Sequence, residues 1–344
     1  MSGGSTVSVE RFLGKPADWD ELVRRSKGWT HFHLYGWRAV IERVFGHECL
    51  YLVARDGARR LAGALALVRV KSLVFGHYVV SMPFVNYGGP LGAADAVREL
   101  VRHAVEQTNR DGASLLELRS RVPLPVDLAV SHRKITVVLD VPPGDPERLW
   151  RGLPTKVRSQ VRRPQKDGVQ VRFGLDQVRP FFEVFSHHMR DLGTPTQPRR
   201  FFECLAETFP DAVWFGCAYL GSKPVAGGCG FRWDGEFEMT WASALRQHTR
   251  LAPNMLLYWA FMERAAREGV ALFNFGRCTP GGNSHRFKQQ WGSRDVPLWW
   301  YQAGRRAHTP SPDKGVLALG PILWRRLPLA LATALGPRIV RYLP

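Results

Sequence analysis

Hydrophobic and polar positions alternate along the chain with two periods, one typical of helices and one typical of strands. In the first half the pattern predicts helix 17–26, strands 48–56 and 61–70, a strand and loop over 74–87, helix 93–110 and strand 114–118. In the second half it predicts helices 176–192 and 199–209, strands 213–220, 225–233 and 236–243, helix 254–268, and strands 271–275 and 296–301. Helices and strands are mixed in both halves, so we expect an α/β (α+β) fold with mixed sheets flanked by helices.

Small residues recur at matching positions in the two halves. At an offset of 164 residues, Ala54 and Gly57 correspond to Ala218 and Gly221, and the glycines after helices 93–110 and 254–268 correspond at an offset of 157. We interpret this as an internal duplication of one α/β domain. Chance recurrence of small residues in hairpins is the alternative. The predicted parts are a first domain over 1–141, a connector over 142–172, a second domain over 173–303 and a tail over 304–344.

Composition narrows the class of protein. The 344 residues are 45% hydrophobic, which is typical of a globular chain, and the five cysteines are odd in number and lack metal-ligand spacing. We therefore expect neither a disulfide scaffold nor a metal site, and a reducing, cytoplasmic location. The N-terminal segment does not have the pattern of a secretory signal, and no apolar stretch is long enough to span a bilayer.

The net charge of +18 indicates an anionic partner, although the abundance of arginine over lysine can also reflect genome composition. The charge is densest over 148–172, where eight cations face the single acid Asp167. In a helix, Arg158 and Arg162 would be neighbours that repel each other unless an anion lies between them. This connector is either a phosphate-binding surface for RNA or a nucleotide diphosphate, or a solvated linker helix, kinked at Pro164.

The most informative stretch runs from Phe273 to Gly292. It reads as a short strand, a loop rich in glycine, and a helical turn that carries Phe287-Lys288. A polar loop beside one lysine at the end of a strand is typical of an active-site edge.

This stretch, FGRCTPGGNSHRFKQQWG, resembles the closing motif of the FemAB/FemX-like proteins, in particular the branch associated with PEP-CTERM exopolysaccharide systems. Three further stretches are similar to that branch: residues 82–89 (MPFVNYGG), 153–162 (LPTKVRSQVR) and 189–195 (MRDLGTP). The tail, with LWRRLPL from residue 323, is also similar, so the resemblance covers nearly the whole chain. Asn274 and Cys278 depart from it, since the family usually has Asp and Ser at these positions.

The resemblance implies two tandem GNAT-like (acyl-CoA N-acyltransferase) domains. It also implies an aminoacyltransferase that moves an amino acid from aminoacyl-tRNA to an amine of a cell-envelope precursor, linked to peptidoglycan or exopolysaccharide. Aminoacyl-tRNA would then be a co-substrate, and no cofactor is expected. Two alternatives stay open: an acyltransferase that uses acyl-CoA or an acyl carrier protein, and a non-catalytic RNA-binding or scaffold protein with this fold.

The resemblance places Lys288 at the reacting centre, where an ammonium can stabilise the oxyanion of acyl transfer. His285 and Asp191 are the candidate bases, although a dedicated base is not obligatory when the reactants are held close together. A surface lysine, an ordinary loop histidine and an aspartate that braces a turn are the structural alternatives. The expected substrate-binding residues come from the motifs and the connector: Lys156, Arg158, Arg162, Arg190, Asn86, Tyr87, Arg277, Asn283, Ser284 and Phe287.

Acyl-CoA is disfavoured because its pyrophosphate usually lies in a glycine-rich loop at the start of a helix. The segment before helix 254–268, from Arg246 to Ala252, has no glycine, and Tyr87–Ala93 has glycines at the wrong spacing. The tail over 316–343 combines leucines with arginines. It can lie along an anionic membrane surface as a peripheral contact, or pack against the second domain.

Overall fold

The structure is a computed structural model that describes residues 7–72, 75–305 and 319–343. The elements of the first part of the chain are β1 (Ser8–Arg11), α1 (Pro16–Arg25), α2 (Gly36–Phe45), β2 (Glu48–Arg55), β3 (Leu61–Ser72), β4 (Gly76–Val80), β5 (Leu91–Gly92), α3 (Ala94–Arg110), β6 (Leu115–Ser120), β7 (Ala129–Ser131) and β8 (Ile135–Asp140). The predicted helices and strands of this region lie within a few residues of these bounds. The sequence pattern missed α2 and the strands β1, β5, β7 and β8.

The middle of the chain forms α4 (Pro146–Gly152), α5 (Thr155–Lys166), β9 (Val169–Phe173), α6 (Val178–Leu192), α7 (Arg199–Thr208), β10 (Val213–Leu220), β11 (Lys223–Trp233) and β12 (Glu236–Ala244). After these come α8 (Pro253–Arg267), β13 (Leu272–Cys278), α9 (Asn283–Gln289), β14 (Arg294–Pro297), β15 (Trp299–Ala303), α10 (Leu319–Arg326) and α11 (Leu329–Val340). Pro164 lies inside α5, one turn from its end. Proline has no backbone N–H to donate, and the helix ends shortly after it, at Lys166.

The described residues form two compact units, each built on one mixed sheet. Unit 1 comprises the described residues up to 133 together with 297–305 and 341–343, and its sheet has the order β1-β2-β3-β4-β6-β15-β7, with β5 paired to β3. Unit 2 comprises residues 134–296 and 319–340, and its sheet has the order β14-β8-β13-β12-β11-β10-β9.

The two units repeat one topology. An antiparallel hairpin, β2–β3 or β10–β11, is followed by a strand that pairs in parallel, across a helix, with the next strand: β4 with β6 across α3, and β12 with β13 across α8. Both helices end in the same way, since Gly112 and Gly269 have positive φ and the residues after them donate to Thr108 and Ala265. The predicted mixed α/β fold is confirmed, and the repeated cap accounts for the matching glycines.

Each sheet also contains a strand from the other half of the sequence. β15 pairs with β6 in unit 1, and β8 pairs with β13 in unit 2, both antiparallel. The connector is not a separate part, because α4, α5 and β9 belong to unit 2 and β9 pairs with β10. The unit bounds therefore differ from the predicted bounds at 141 and 303, and the predicted strand 296–301 is divided between β14 and β15.

The core of unit 2 surrounds α8, which is buried on nearly every side. Leu257, Phe261, Met262 and Ala265 are fully buried against the sheet and the helices α4 and α5. A helix that is apolar over most of its surface is stable only in such an interior. α8 therefore holds the strands β12 and β13, which it connects, in a fixed arrangement.

Candidate functional site

The strands β12 and β13 of unit 2 diverge after a short parallel pairing. Their register runs through Phe237 opposite Phe273 and ends at Glu238 opposite Asn274. Beyond this point β12 stays paired with β11 as far as Ala244, while β13 continues beside β8 to Cys278. We call the opening between them the β12–β13 splay.

A buried hydrogen-bond network forms the closed end of the splay. The side-chain oxygen of Asn274 accepts from the Thr136 hydroxyl at 2.6 Å and from the Gly276 amide at 2.8 Å. Its Nδ2 donates to Glu236 at 2.8 Å and to Glu238 at 3.3 Å. The amide is suited to this place because it can donate to two carboxylates, whereas an Asp at this position would be a third carboxylate beside them.

Lys288 lies on α9 and points back to the diverging part of β13. It is 4% exposed, and its Nζ donates to the carbonyl oxygens of Gly276 at 2.6 Å and Arg277 at 3.0 Å. Gly276 has a positive φ of 73°, and the pairing of β13 with β8 is interrupted between Asn274 and Arg277. This irregularity turns the two carbonyl groups toward the ammonium.

Burial lowers the pKa of the Lys288 ammonium to about 8, because a low-dielectric environment disfavours the charged form. The nearby Cys278 and Glu238 oppose this shift, and Arg277 adds to it. Burial raises the pKa of the Cys278 thiol, and Lys288 offsets part of that effect. Cys278 is therefore a neutral thiol at pH 7, which is unfavourable for a nucleophile.

His285 is held on both ring nitrogens. The Gly281 amide donates to Nδ1 at 3.0 Å, and Nε2 lies 3.0 Å from the carboxylate of Asp295. Because Nδ1 accepts, Nε2 carries the proton and donates to Asp295. The lone pair that a general base needs is therefore already occupied, and His285 braces the loop that leads into α9.

The other predicted residues of this loop differ in their exposure. Phe287 packs against Tyr258, with ring centroids 5.0 Å apart, and belongs to the edge of the unit 2 core. Ser284 is exposed, and Asn283 accepts a hydrogen bond from Arg286 at the start of α9. Arg277 is half-buried on β13, beside Lys288. The structure thus brings Lys288, Arg277, His285 and Phe287 together at β13 and α9.

Asp191 and Arg190 lie at the end of α6, where they form an ion pair with each other at 2.7 Å. None of the contacts described for Asp191 involves Lys288 or its carbonyl partners. The neighbouring Gly193 has a positive φ, and a Cβ there would lie 2.5 Å from the carbonyl oxygen of Pro321 on α10. The MRDLGTP stretch, residues 189–195, therefore forms part of the surface against which the C-terminal helices pack.

Asn86 and Tyr87 lie in unit 1 and are buried. The Tyr87 ring packs against Phe32, and the Arg121 guanidinium lies 5.1 Å from its centroid. The glycines that follow serve close backbone packing, because a Cβ at Gly88 would lie 2.5 Å from Met82 and one at Gly92 2.3 Å from the Ala62 oxygen. This loop is packed against protein and is not shaped as a phosphate cradle.

The basic residues of the connector lie on α5. Lys156 and Arg162 are exposed and Arg158 is half-buried, beside a cavity of about 810 Å³ lined by α5 and Asp167. Arg162 also lies over the Trp150 ring, 5.4 Å from its centroid, in a cation–π contact that stabilises its guanidinium group.

The start of α8 offers little to a pyrophosphate. The backbone amides of His248, Ala252 and Met255 already donate to carbonyl groups of the same segment, and Pro253 has no N–H. These three amides are therefore not free to bind a phosphate, and the segment has no glycine that would let further backbone approach one closely. Among the described residues, no group of His, Cys, Asp or Glu is placed to hold a metal ion.

Three residues of the buried hydrogen-bond network, Thr136, Glu236 and Glu238, were not among the predicted site residues. All three are buried, and Glu238 is fully so. The detectable signal was the pattern of acids at 236 and 238 within an otherwise apolar strand, since a charged side chain on the buried face of a strand is rare unless it is paired.

Comparison with known proteins identifies several that have a similar fold. Residues 154–289, from the start of α5 through α9, match the model of a family described as an acetyltransferase (GNAT) domain. A crystal structure of FemX is similar at a TM-score of 0.62 and 14% identity, over 86% of this chain and 98% of FemX. No curated protein sequence matches the chain.

Two further solved structures are similar. L-PGS from Bacillus licheniformis has a TM-score of 0.55 at 8% identity, over 92% of this chain and 98% of that one. A tandem GNAT protein from the clavulanic acid biosynthesis pathway has a TM-score of 0.50 at 14% identity, over 89% and 100%. At such identities the likeness shows the fold, which is that of tandem GNAT-like domains, and the resemblance to FemX-like proteins is confirmed at this level.

Proposed function

We propose that this protein is an N-acyltransferase that forms an amide bond, with aminoacyl-tRNA as the donor and an amine of a cell-envelope precursor as the acceptor. The observation that carries the proposal is Lys288, a buried ammonium held by two carbonyl groups at the diverging end of β13. A buried ammonium places a positive charge where little water is present. In such an environment the stabilisation of a developing negative charge is strongest.

Two of the three N–H bonds of Lys288 are used by Gly276 and Arg277, and the third has no partner among the described residues. In the proposed reaction the acceptor amine attacks the ester carbon of the donor, and the third N–H stabilises the resulting oxyanion. The C–N bond forms as the ester C–O bond breaks. A pKa of about 8 suits Lys288 to protonate the departing ribose oxygen and to take up the proton that the attacking nitrogen loses.

Glu238 supports the proposed role of Lys288 from the closed end of the β12–β13 splay. Its carboxylate is fully buried, receives the Asn274 amide, and favours the charged form of Lys288. We assign it a positioning role, because it is too deeply buried to contact the substrate. The neutral Cys278 and the occupied His285 are consistent with a mechanism without an acyl-enzyme or a separate base.

The donor is proposed from two features of unit 2. Three backbone amides at the start of α8 already donate to carbonyl groups, which disfavours binding of the pyrophosphate of acyl-CoA there. The α5 cavity is lined by Arg158, Arg162, Arg163 and Lys166 and suits the phosphate backbone of RNA. Within it, the Nε of Arg158 is buried without a hydrogen-bond partner among the described residues.

The test is transfer of a labelled amino acid from a mixture of charged tRNAs to peptidoglycan and amino-sugar precursors. Lys288→Met should lower kcat by about 10²–10³-fold and leave tRNA binding unchanged, since it removes a donor aimed at the oxyanion. Lys223→Met, which changes an exposed lysine of the same unit, is the matched control. Tight tRNA binding without transfer by the unmodified protein would instead support the non-catalytic alternative, and micromolar acyl-CoA binding would support the other one.

A further inference from the structure

The C-terminal helices α10 and α11 pack on α6 through very close contacts. A Cβ at Gly336 of α11 would lie 2.9 Å from the Thr196 amide, as one at Gly193 would meet Pro321 of α10. Arg325 adds a hydrogen bond to the Leu192 carbonyl at 3.3 Å. These contacts hold the inner faces of both helices on unit 2. The predicted Val316 and Leu317 lie outside the described residues.

The outer faces of the same helices are apolar and exposed. Ile322 and Leu323 on α10 are 50% and 63% exposed, and Leu331 and Leu335 on α11 are 51% and 40% exposed. Leu331 and Leu335 are four residues apart, so they lie on one side of α11. Leu192, 50% exposed at the end of α6, lies beside α10. We call these five residues the leucine face. Large side chains exposed together in this way mark an interaction surface.

The charged side chains of α10 and α11 have one sign. Residues 319–343 contain no aspartate or glutamate, whereas Arg325, Arg326 and Arg338 are exposed there. Apolar side chains flanked by arginines, without acids, fit the boundary between the acyl chains and the headgroups of an anionic bilayer. A second copy of a chain with a net charge of +18 is a poorer partner, because like charges repel.

We propose that the leucine face with its arginines binds the surface of an anionic lipid bilayer, so that the protein is a peripheral membrane protein. The helices lie in the plane of the interface, with leucines in the acyl boundary and guanidinium groups among the phosphates. No helix among the described residues is both long and apolar enough to cross a membrane. The leucine face is built from α6, α10 and α11 and does not include Lys288, so this proposal stands independently of the proposed chemistry.

The test is co-sedimentation of the full chain with vesicles of phosphatidylcholine alone and of phosphatidylcholine mixed with phosphatidylglycerol. The unmodified protein should bind the mixed vesicles. The double variant Leu331→Ser/Leu335→Ser should lower the partition coefficient by about tenfold or more, because two leucines no longer enter the bilayer. The matched control, Leu13→Ser/Leu175→Ser, changes two leucines that are exposed elsewhere and should bind as the unmodified protein does.

A second pair of changes tests the charge. Arg326→Gln/Arg338→Gln should weaken binding to the mixed vesicles, and added salt should reduce the difference between this variant and the unmodified protein. Circular dichroism of each variant checks folding, and Ile322→Ser/Leu323→Ser replaces the α11 pair if that pair does not fold. Equal partitioning of leucine-face and control variants would overturn the proposal. So would a leucine-face variant that changed only the molar mass in light scattering, because the surface would then be an interface between copies.

Discussion

The two units place different groups at one and the same position of the repeated fold. At the offset of 157 residues, Glu117 of unit 1 corresponds to Asn274 of unit 2, and each lies where the parallel pairing of two strands ends. In unit 1 Glu117 is fully buried and paired with Arg119 at 2.8 Å, and Gln302 donates to its other oxygen at 2.9 Å. In unit 2 the corresponding place holds an amide, two glutamates and Lys288.

The backbone of the two units also differs at this position. After β4 the chain of unit 1 returns to β6, and the amides of Ser81, Gly88 and Gly89 donate to the carbonyl groups of Glu117 and Arg119. In unit 2, β12 continues along β11, and no pairing with β13 is found beyond Glu238 in the described residues. One copy of the fold has thus filled its splay with protein, and the other leaves Lys288 at the splay, where we propose that the reaction takes place.

The buried cations of the two units, Arg119 and Lys288, differ in the same way. Arg119 is neutralised by a carboxylate and donates to the Val85 carbonyl, and its guanidinium lies 4.6 Å from the centre of the Trp300 ring. The hydrogen bonds of Lys288 go to the carbonyl groups of Gly276 and Arg277, which carry no net charge, so Lys288 keeps its net charge and a proton with a pKa of about 8. A fully paired arginine stabilises a structure, whereas a lysine with a lowered pKa can also transfer a proton.

The largest expected effect is on the stability of unit 1. Arg119→Met should lower the free energy of unfolding by about 3–5 kcal/mol, because it leaves the Glu117 carboxylate buried without its cation. Chemical denaturation followed by tryptophan fluorescence measures this loss. Arg60→Met, which removes an ion pair on the surface with Asp56, should leave the unfolding midpoint nearly unchanged. A similar midpoint for both variants would show that the Glu117–Arg119 pair does not stabilise unit 1.

The second-largest expected effect is on how the stability of unit 2 depends on pH. Because the pKa of Lys288 is about 8 in the folded protein against an ordinary 10.5, the unfolded chain binds more protons between these values, and stability rises with pH there. Relative to Lys288→Met, the unmodified protein should gain roughly 3 kcal/mol between pH 8 and 10.5. Transfer activity should fall as the pH rises through about 8, where the ammonium of the folded protein loses its proton. Parallel stability curves for the two proteins would contradict the lowered pKa, and Lys223→Met should follow the unmodified protein.

The smallest expected effect tests the departure at position 274. Asn274→Asp should cost about 1–3 kcal/mol of stability at neutral pH, because a buried donor is replaced by a carboxylate that faces Glu236 and Glu238. Those neighbours raise the pKa of the new carboxyl, so the cost should be absent below its ordinary pKa, grow as the pH rises from the ordinary to the raised pKa, and be complete above the raised one. Asn109→Asp, at an exposed position of α3, is the control. No loss at neutral pH would mean that the network is not essential at this place.

The sequence predicted local features of this fold with good accuracy. Periodicity placed α3 and α8 within a few residues of their ends, and the matching glycines at 112 and 269 marked the repeat, because a positive φ at a helix end depends on the local chain. The loop that carries Lys288 could also be found, since its glycines and its resemblance to FemX-like proteins are properties of a continuous stretch.

Features that depend on which elements meet were beyond the sequence pattern. The strand β8 has the same hydrophobic pattern whichever sheet it joins, so its place beside β13 could not be predicted, and neither could the place of β15 beside β6. The burial of Glu238 and the occupied lone pair of His285 follow from contacts between distant residues.

By itself, then, the sequence determined the mixed α/β class, the repeat and the loop that carries Lys288, because each depends on short-range propensity or on a continuous motif. Tertiary structure alone decided which of the two splays is filled by an ion pair and which surrounds Lys288. It also decided that the C-terminal helices bury one face and expose the other. These outcomes depend on burial, and burial is a property of the assembled fold rather than of any segment.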